Sequence, residues 1–399
     1  MIKYTTLLIG LLLIFGCNSK DEFSIQINEI QLQTKSSGEP NLSMSKQGHP
    51  LLSWIEYAND SLTILKFSKL INDQWSEPKE ISRGSDWFVN WADFPSLINS
   101  EDDYLTAHWL QRSADGKYDY DIHISQSING GQTWFPSFIP HQDSVNAEHG
   151  FVSMTPTSLG NTFLVWLDGR NSKKENNNAM TLRSAEISKN GQLIDERELD
   201  ERVCDCCQTD VTWTKKGPVV VYRDRSNDEV RDISVLRKEN DVWTKPKILH
   251  KDNWKITGCP VNGPSIDSKD DQVAVAWFTM ANEKPRVYVS KSNNYGKSFS
   301  NPMLINERSA IGRVDVIIDN SKTFVTWMEN ENDLGIIKMR YVDEHNHRSK
   351  IFKIGVNSVS RRSGFPRILN TKDGIIATWT ETDDVNSKVK TFKINYNNG

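Results

Sequence analysis

Gly48-His-Pro-Leu-Leu-Ser-Trp54 is the first of seven copies of one short phrase, in which a turn residue precedes an apolar run that ends in an aromatic residue. The closing aromatic residues stand 50 to 57 positions apart along the chain, at Trp54, Trp109, Trp166, Tyr222, Trp277, Trp327 and Trp379. A fixed period built from strand-like units is typical of repeat architectures. The phrase therefore predicts a fold of seven similar units.

Each unit continues with further short strands, as the second unit shows. Its pattern predicts strands at Pro95–Ile98, Tyr104–Leu110, Asp121–Ser125 and Pro136–Ile139. Four short strands in about 50 residues are typical of one propeller blade. No segment keeps a helical period over three turns. We therefore predict an all-β fold, a seven-bladed β-propeller of four-stranded blades, with a six-bladed propeller as the alternative.

The last unit indicates how the ring closes. It ends at Gly399 without a fourth strand of its own, whereas the alternating segment Phe23–Gln33 belongs to no unit. An unpaired strand edge is a liability that folded proteins cover. We expect the N-terminal strand to complete the last blade, so that residues 23–399 form a single domain.

The first residues have the pattern of an export signal. Lys3 precedes the apolar stretch Leu7–Phe15, and Ile14-Phe15-Gly16-Cys17 resembles a bacterial lipobox, in which the cysteine is lipidated after cleavage. Residues 18–22 resemble a tag that sends lipoproteins to the cell surface, with a solvated linker as the alternative. We expect residues 1–17 to be a lipoprotein signal peptide with lipidated Cys17, or else an ordinary secretory signal. The chain is then an exported outer-membrane lipoprotein, exposed at the surface and held to the membrane by its lipid only.

The charge of the chain limits its partners. The 48 basic residues nearly balance the 52 acidic ones. A nucleic-acid-binding domain shows a basic excess, so nucleic acid is not an expected partner. A monomer is expected.

Two turns carry a family resemblance. Ser127-Ile-Asn-Gly-Gly-Gln-Thr-Trp134 and Ser292-Asn-Asn-Tyr-Gly-Lys-Ser-Phe299 resemble the Asp-box (BNR repeat) of the sialidase superfamily, with asparagine in place of aspartate. A short polar side chain caps such a turn and glycine takes a positive φ, so the motif is a folding element. The resemblance implies a propeller that binds its ligand at one end of a central channel.

The catalytic set of true sialidases is not carried over to this chain. The superfamily places its first arginine in an early Phe-Arg-Ile-Pro motif, whereas Gly364-Phe-Pro-Arg-Ile368 has a similar composition in another order and in the last unit. No tyrosine in the loops at the expected ligand-binding end of the channel is assigned as a nucleophile. Sialic acid is therefore not specifically indicated, and related glycan chemistry is open.

The resemblance implies that the site is built by loops that enter each first strand and leave each second strand. Paired carboxyl groups serve glycoside cleavage, arginine forks bind carboxylates or sulfates, and tryptophan faces stack on sugar rings. The candidate catalytic residues are Asp93 and Asp210. The candidate anion clamp is Arg223, Arg313 and Arg367, and the candidate stacking platforms are Trp87 and Trp91. Further candidate substrate-binding residues are His149, Arg170 and Gln208.

Four cysteines remain after Cys17: Cys204, Cys206, Cys207 and Cys259. In an exported protein they predict two disulfides with three possible pairings, one of which joins Cys206 to Cys207 and Cys204 to Cys259. The alternative is a Cu(I) or Zn(II) site that His149 joins. No other cofactor is expected.

These features favour a sialidase-like, carbohydrate-active enzyme that cleaves an acidic oligosaccharide or polysaccharide, either as an exo-acting glycoside hydrolase or as a polysaccharide lyase. One alternative is a non-catalytic propeller that binds glycan or protein at the cell surface. A second is a lipoprotein that binds metal through its cysteine cluster. The sugar and the linkage are left open by the residues.

Overall fold

The computed structural model of the chain describes residues 23–174, 179–383 and 386–397. These ranges contain 29 strands arranged in seven antiparallel sheets, which are the blades of one propeller. The prediction of an all-β, seven-bladed propeller is confirmed, and the six-bladed alternative is wrong. The predicted lipidation site Cys17 lies outside the described residues.

The strands follow the chain in blade order, after one strand that precedes the first blade. That strand is β1 (Ile25–Ile30). Blade 1 consists of β2 (Ser37–Met44), β3 (Pro50–Tyr57), β4 (Thr63–Ile71), β5 (Gln74–Trp75) and β6 (Lys79–Gly84). Blade 2 consists of β7 (Ser96–Glu101), β8 (Tyr104–Arg112) and β9 (Tyr120–Ser127). Blade 3 consists of β10 (His149–Pro156), β11 (Thr162–Asp168), β12 (Met180–Ile187) and β13 (Leu193–Val203).

The remaining blades repeat this order. Blade 4 consists of β14 (Asp210–Thr214), β15 (Gly217–Arg223), β16 (Ile233–Glu239), β17 (Val242–Trp243) and β18 (Lys247–Ile248). Blade 5 consists of β19 (Ser265–Lys269), β20 (Gln272–Thr279), β21 (Arg286–Ser292) and β22 (Met303–Leu304). Blade 6 consists of β23 (Ala310–Asp319), β24 (Lys322–Glu331), β25 (Leu334–Val342) and β26 (Phe352–Ser358). Blade 7 consists of β27 (Arg367–Thr371), β28 (Gly374–Thr382), β29 (Ser387–Tyr396) and β1.

Helical structure within the described ranges is confined to two single 3₁₀ turns, Ala281–Glu283 and Arg361–Ser363. Neither approaches the length or the apolar character that a membrane-crossing helix needs, and the described residues contain no other helix.

The repeated aromatic residue lies in the second strand of its blade and packs into the core. All seven of these side chains are buried, with between 0 and 4% of their surface exposed. Burying a large apolar side chain stabilises a fold by roughly 1.5–3 kcal/mol. The repeat seen in the sequence therefore marks the buried aromatic residue that each blade contributes to the core.

Blade 2 differs from its prediction, because the segment at Pro136–Ile139 does not form a fourth strand. It meets β9 through one isolated bridge, in which Phe138 and Ile124 exchange both backbone hydrogen bonds at 2.9 Å. Pro136 and Pro140 flank this bridge. Proline has no N–H group to donate to a neighbouring strand, so the pairing cannot extend in either direction.

The ring closes as expected. Strand β1 pairs with β29 in antiparallel register, from Ile25 opposite Tyr396 to Ile30 opposite Thr391. The Asp-box turns are also confirmed as local caps. In the first of them Asn129 accepts backbone hydrogen bonds from Gln132 at 3.1 Å and Thr133 at 3.0 Å.

Candidate functional site at the channel mouth

The two sets of loops predicted to build the site lie at the same end of the ring. The start of a first strand pairs with the end of a second strand, as His149 does with Asp168 and Arg367 does with Thr378. A cavity of about 130 Å³ lies between the first strands at this end. The predicted site residues that line it are Asp93, Gln208, Asp210 and Arg367.

Three first strands carry a β-bulge near their start, at the mouth end of the ring. The bulged residues Glu39, Phe151 and Arg313 have positive φ angles of 52°, 52° and 55°, and the strand register shifts at each. A glycine precedes each of them. At Gly150 a β-carbon would collide with the carboxylate of Asp93. Bulges are common beside functional sites because they redirect side chains.

Asp93 is a buried carboxyl group at the edge of the cavity, with 3% of its surface exposed. Its Oδ1 accepts the backbone N–H of Phe151 at 2.7 Å, and its Oδ2 lies 3.1 Å from the hydroxyl of Tyr120. That hydroxyl also lies 2.9 Å from Oε1 of Glu148. Burial raises the pKa of Asp93 to about 8 and that of Glu148 to about 7. The three side chains therefore keep a proton beside the cavity at neutral pH.

Asp210 faces the same cavity from blade 4. Its Oδ2 accepts the backbone N–H of Ile266, in the next blade, at 2.9 Å. Burial raises the pKa of Asp210 to about 6, against the opposing charge of Arg367. At neutral pH Asp210 is mostly ionised while Asp93 is mostly protonated, so the cavity offers one base and one acid.

Arg367 is the one residue of the predicted clamp that lines the cavity. Its Nη1 lies 3.4 Å from Oδ1 of Asp315, and its guanidinium stands 5.9 Å from the ring of Phe94. Its Nε has no hydrogen-bond partner among the described residues. A fifth of its side chain, 21%, is exposed. Arg367 is therefore the partly exposed positive charge in the cavity lining, where an anionic ligand would meet it.

The structure does not bring Arg223 into an anion clamp. This side chain is 1% exposed and donates only to backbone carbonyls, those of Asn262 at 3.0 and 2.8 Å, Phe278 at 2.7 Å and Arg231 at 2.7 Å. Its guanidinium also covers the ring of Trp254 at 4.9 Å. The prediction is corrected: Arg223 ties blade 4 to blade 5. Its N–H donors are bonded to backbone carbonyls, and the side chain does not line the cavity.

Arg313 is likewise used by the fold. It is 3% exposed, and it donates to the hydroxyl of Ser363 at 2.6 Å and to the carbonyls of Gly364 at 2.9 Å and Ser360 at 3.0 Å. Burial lowers the pKa of Arg313 to about 10. It holds the segment that enters blade 7, and the predicted clamp of three convergent arginines is wrong.

The two predicted stacking platforms have other partners. Trp87 is buried against Trp109, with ring centroids 5.4 Å apart, so its face is closed to a sugar. Trp91 stacks on Phe365 at 5.6 Å, and the guanidinium of Arg313 lies 5.0 Å from its ring. Trp91 is partly exposed beside Phe365, which lines the cavity. Trp91 therefore forms part of the rim of the mouth.

Gln208 lines the cavity with its amide already paired. Its Nε2 donates to the carbonyl of Ala92 at 2.6 Å, and its Oε1 accepts the N–H of Gly263 at 3.0 Å. Gln208 therefore joins the segments that enter blades 2, 4 and 5.

His149 lies in a buried ion network away from the cavity. It is fully buried and stacks face to face on His141, with ring centroids 3.8 Å apart. Its Nε2 lies 3.1 Å from Asp143 and 3.7 Å from Asp168, and its Nδ1 lies 3.5 Å from Asp121. Burial alone would lower the pKa of His149, but these carboxylates outweigh burial and raise it to about 9. His149 is therefore a charged structural residue, and the cavity does not reach it.

Arg170 belongs to the same network. It donates to both carboxylate oxygens of Asp168 at 2.7 Å and lies 3.1 Å from Asp143 and from Glu196. With three carboxylates around one guanidinium, Arg170 has no role in the cavity.

Two groups of side chains could in principle hold a metal ion. The first is Asp121, His141 and His149. Its two imidazole planes are parallel to within 7°, so their in-plane lone pairs cannot converge on one ion without rotation of a ring. The carboxylates of the overlapping set, Asp143 and Asp168, are taken by Arg170.

The second group is the cysteine cluster. Cys206 and Cys259 form a disulfide, whereas Cys204 and Cys207 are buried thiols with sulfur atoms 3.4 Å apart. The hydrogen bond between Cys204 and Cys207 and the positive charge of Arg231 lower the pKa of Cys204 to about 6 despite its burial. A disulfide at Cys206–Cys259 rules out the vicinal Cys206–Cys207 pairing in this state, because Cys206 is already bonded across the two loops. His149 is absent from this group.

Tyr120 is the cavity-side residue that the sequence pattern missed. It is the first residue of β9, the third strand of blade 2. The third strand begins where the second ends, since the two are antiparallel, so its first residue also lies at the mouth. A sequence pattern that includes the first residue of each third strand, besides the two sets of loops, would identify Tyr120 as a residue of the mouth.

No protein-family model matches the chain, and no curated protein matches it in sequence. Solved structures share its architecture. An ulvan lyase of polysaccharide lyase family 25, bound to the saccharide GlcA(1-4)Rha3S, matches with a TM-score of 0.58 and 9% identity, over 92% of this chain and 96% of its own. A protein of unknown function from Dyadobacter fermentans matches with a TM-score of 0.51 and 10% identity, over 94% and 99% of the two chains. The NanB sialidase from Streptococcus pneumoniae matches with a TM-score of 0.47 and 9% identity, over 94% and 95%. The likeness to these propellers is one of fold.

Proposed function

We propose that this protein cleaves glycosidic bonds of an acidic glycan at the mouth of its channel. The observation that carries the proposal is the shared cavity, which Asp93 and Asp210 line together with Arg367. Carboxyl groups with pKa values of about 8 and about 6 are suited to opposite roles at neutral pH. Paired carboxyl groups beside the scissile bond are what glycoside cleavage needs.

Each of the three residues then has a role. Protonated Asp93 donates its proton to the leaving glycosidic oxygen, and the Tyr120 hydroxyl holds it in position. Ionised Asp210 acts as the base, either on water or on a proton of the sugar ring. Arg367 binds the carboxylate or sulfate of the substrate through the donors that are not taken by Asp315.

A polysaccharide of uronate and sulfated sugar is the substrate class to test first. The ulvan lyase of the same architecture was solved with a glucuronate–sulfated rhamnose saccharide bound, and such a polymer carries both anions that an arginine fork binds. Elimination would leave a C4–C5 double bond in the product, whereas hydrolysis would not. Ultraviolet absorbance of the product therefore distinguishes the two reactions.

The test uses a chain that begins at residue 18, screened on sialosides and on uronate- and sulfate-bearing polysaccharides. Asp210→Asn is expected to lower kcat/KM at least about 100-fold, because general base catalysis contributes roughly that much. Asp267→Asn is the matched control. Asp267 also has a raised pKa, about 7, and accepts a backbone bond from the next blade at 2.7 Å, but it does not line the cavity. Absence of cleavage across the panel, or an equal loss in both variants, would contradict the proposal.

One observation favours a second function, a non-catalytic acidic-glycan binder. Both oxygens of Asp93 already accept hydrogen bonds within the protein. A binder would show saccharide affinity by calorimetry, lose it in Arg367→Met, and release no product from any substrate of the panel.

We also propose that the chain is exported and anchored by a lipid on Cys17. The apolar stretch Leu7–Phe15 and the lipobox-like Ile14–Cys17 support this. Metabolic labelling with a fatty acid tests it: Cys17→Ser should lose both the label and the membrane fraction. Retention of the label would contradict lipidation at this residue.

A further inference from the structure

The chain enters the propeller at the end of the ring opposite the mouth. Strand β29 begins where the second strand β28 ends, at the mouth, and therefore finishes at the other end, which we call the far end. Strand β1 runs antiparallel to β29, and its first residue, Ile25, pairs with Tyr396, the last residue of β29. The residues that precede β1 are therefore joined to the ring at its far end.

Phe23 holds this entry point in place. Its side chain is 9% exposed and packs against the rings of Tyr341 and Tyr396, with centroids 4.6 and 5.6 Å away. The next residue, Ser24, donates its backbone N–H to Oδ1 of Asn397 at 2.7 Å. Because β1 is the outermost strand of blade 7, the entry point lies at the outer edge of the far end.

The chain between this entry point and the proposed lipid is short. Six Cα–Cα steps separate Cys17 from Phe23, and they span at most about 20 Å when fully extended. A second strand such as β20, which has eight residues, is about 27 Å long. The ring is therefore taller than the chain that joins it to the lipid. A bilayer that holds a lipid on Cys17 can meet the far end, whereas the mouth cannot turn to face it.

Three exposed apolar side chains, which we call the apolar tips, also lie at the far end. They are the most exposed of the large apolar side chains that the structure describes: Leu159 at 74%, Val242 at 68% and Ile128 at 59%. Ile128 follows the third strand β9, Leu159 lies between β10 and β11, and Val242 follows the turn after the third strand β16. One exposed apolar residue is ordinary on a protein surface, but these three share one end of the ring.

The apolar tips and the entry point lie on opposite sides of the ring. The blades follow one another in chain order around the axis, so blade 7, where the chain enters, faces blades 3 and 4 across the channel. The tips belong to blades 2, 3 and 4. A bilayer that holds the chain at blade 7 therefore meets the tips on the other side, and the two attachments together keep the ring flat on the bilayer.

We propose that the far end of the ring rests on a lipid bilayer, with the apolar tips in its surface and the mouth turned away from it. This rests on the proposed lipid on Cys17 and is independent of glycan cleavage. Three partly inserted side chains bind weakly, because each gains less than the roughly 1.5–3 kcal/mol of full burial. The lipid compensates, since a short tether keeps the tips at a high effective concentration near the bilayer. The mouth then opens toward the solution, where a polysaccharide can reach it.

The test places a fluorophore at either end of blade 2 in the lipidated chain, added to preformed vesicles of phosphatidylethanolamine and phosphatidylglycerol with a nitroxide on the acyl chains. Ile128→Cys carries the far-end label, and Tyr118→Cys, where the side chain is 49% exposed at the mouth end, carries the matched control. The unaltered chain, whose free thiols are buried, gives the background. The far-end label should lose at least about half of its fluorescence, because side chains in the interface lie about 5–10 Å deep. Quenching of the mouth-end label, or of neither label, would overturn the proposal.

A second pair of variants tests the tips themselves. In the chain labelled at Ile128→Cys, Leu159→Ser with Val242→Ser removes the other two tips and should lower the quenching at least about twofold. Met280→Ser with Leu334→Ser, 44% and 50% exposed at the mouth end, should leave it unchanged. Equal quenching in both would overturn the proposal.

Fatty-acid labelling of the same samples separates this proposal from the lipid anchor. A chain without fatty acid on Cys17 would contradict both. A lipidated chain that is quenched at its mouth end would contradict the orientation alone.

Discussion

The hydroxyl oxygen of Tyr120 lies 3.1 Å from Oδ2 of Asp93, where both side chains are buried. The same hydroxyl lies 2.9 Å from Glu148. One hydroxyl proton cannot satisfy two carboxylates at once, and burial disfavours both negative charges. Burial raises the pKa of Asp93 to about 8 and that of Glu148 to about 7, and the hydrogen bonds from Tyr120 offset only part of this rise. The fold thus holds an acid beside the cavity at neutral pH.

Replacing Tyr120 by phenylalanine should change the pH dependence of cleavage. The hydrogen bond from Tyr120 lowers the pKa of Asp93, although burial outweighs it. Without the hydroxyl the acid stays protonated to higher pH, so the alkaline limb of kcat/KM should move upward. The rate should fall by roughly tenfold, equivalent to about 1.4 kcal/mol, which is the size of one hydrogen bond that orients the acid. Rate profiles between pH 5 and 10 measure both effects.

Tyr222→Phe is the matched control for that substitution. Tyr222 is fully buried and donates to Asp200 at 2.5 Å, away from the cavity lining. Both variants should lower the free energy of unfolding by about 1–3 kcal/mol, because each removes the donor of a buried or half-buried carboxyl oxygen. Only Tyr120→Phe should move the alkaline limb. An unmoved limb would show that Asp93 is not the acid.

The free energy of unfolding should fall as the pH rises from 5 to 9. Some buried carboxyl groups have a higher pKa in the folded chain than in the unfolded one, such as Asp93 at about 8 and Asp267 at about 7. Their contribution to stability is fully present below the unfolded pKa of about 4. That contribution is lost as the pH rises through the folded values. His149 acts in the same direction, since its folded pKa of about 9 lies above its unfolded one.

Urea midpoints at pH 5, 7 and 9 measure this trend. Asp93→Asn removes one titrating group, so its stability should depend less on pH between 6 and 8, by up to about 1.4 kcal/mol per pH unit. Stability that rises toward pH 9 would contradict the proton that the structure places on these buried carboxyl groups.

Substitutions at Arg223 and Arg367 should have different effects: the first should mainly lower stability, and the second should mainly weaken ligand binding. Arg223→Met leaves four buried hydrogen bonds to carbonyls unmade and should lower the free energy of unfolding by about 3 kcal/mol or more. Arg367→Met removes one ion pair, 3.4 Å long, to the buried Asp315, which keeps hydrogen bonds from Ser265 and Ile368, and should cost less, about 1–2 kcal/mol. Denaturant titration checks both values.

Calorimetry with an acidic saccharide completes that comparison. Binding should weaken at least tenfold in Arg367→Met, because the cavity then lacks its arginine. At a temperature where Arg223→Met is folded, that variant should bind as the unaltered chain does. Loss of binding in Arg223→Met, with binding kept in Arg367→Met, would show that Arg223 and not Arg367 binds the saccharide.

The fold could be read from the chain because its decisive signals are local and repeated. The seven aromatic residues mark second strands, and all of them are buried. The missing fourth strand of blade 2 was also readable in principle, since Pro136 and Pro140 limit its pairing. The number of blades and the closing strand follow from counting units.

The site was less predictable, because position in a blade fixes an end of the ring and not the direction of a long side chain. Arg223 and Arg367 both lie at the mouth end, yet only the second lines the cavity. Two of the three carbonyl partners of Arg223 lie 39 and 55 residues away along the chain. Such distant partners leave no mark in the local sequence pattern, and neither does the choice among cysteine pairings.

Removal of residues 23–33 should open the ring at blade 7. Strand β1 pairs with β29 along its whole length, and Phe23 packs against Tyr341 of blade 6 with ring centroids 4.6 Å apart. The truncated chain would expose the edge of β29, which favours aggregation. We expect a Tm at least about 10 °C lower, as loss of several kcal/mol implies for a domain of this size. Glu29→Ala is the control, since it removes only the surface ion pair with Lys390 and should change stability by less than about 1 kcal/mol. A truncated chain that melts at the original temperature without aggregating would show that β1 does not close the propeller.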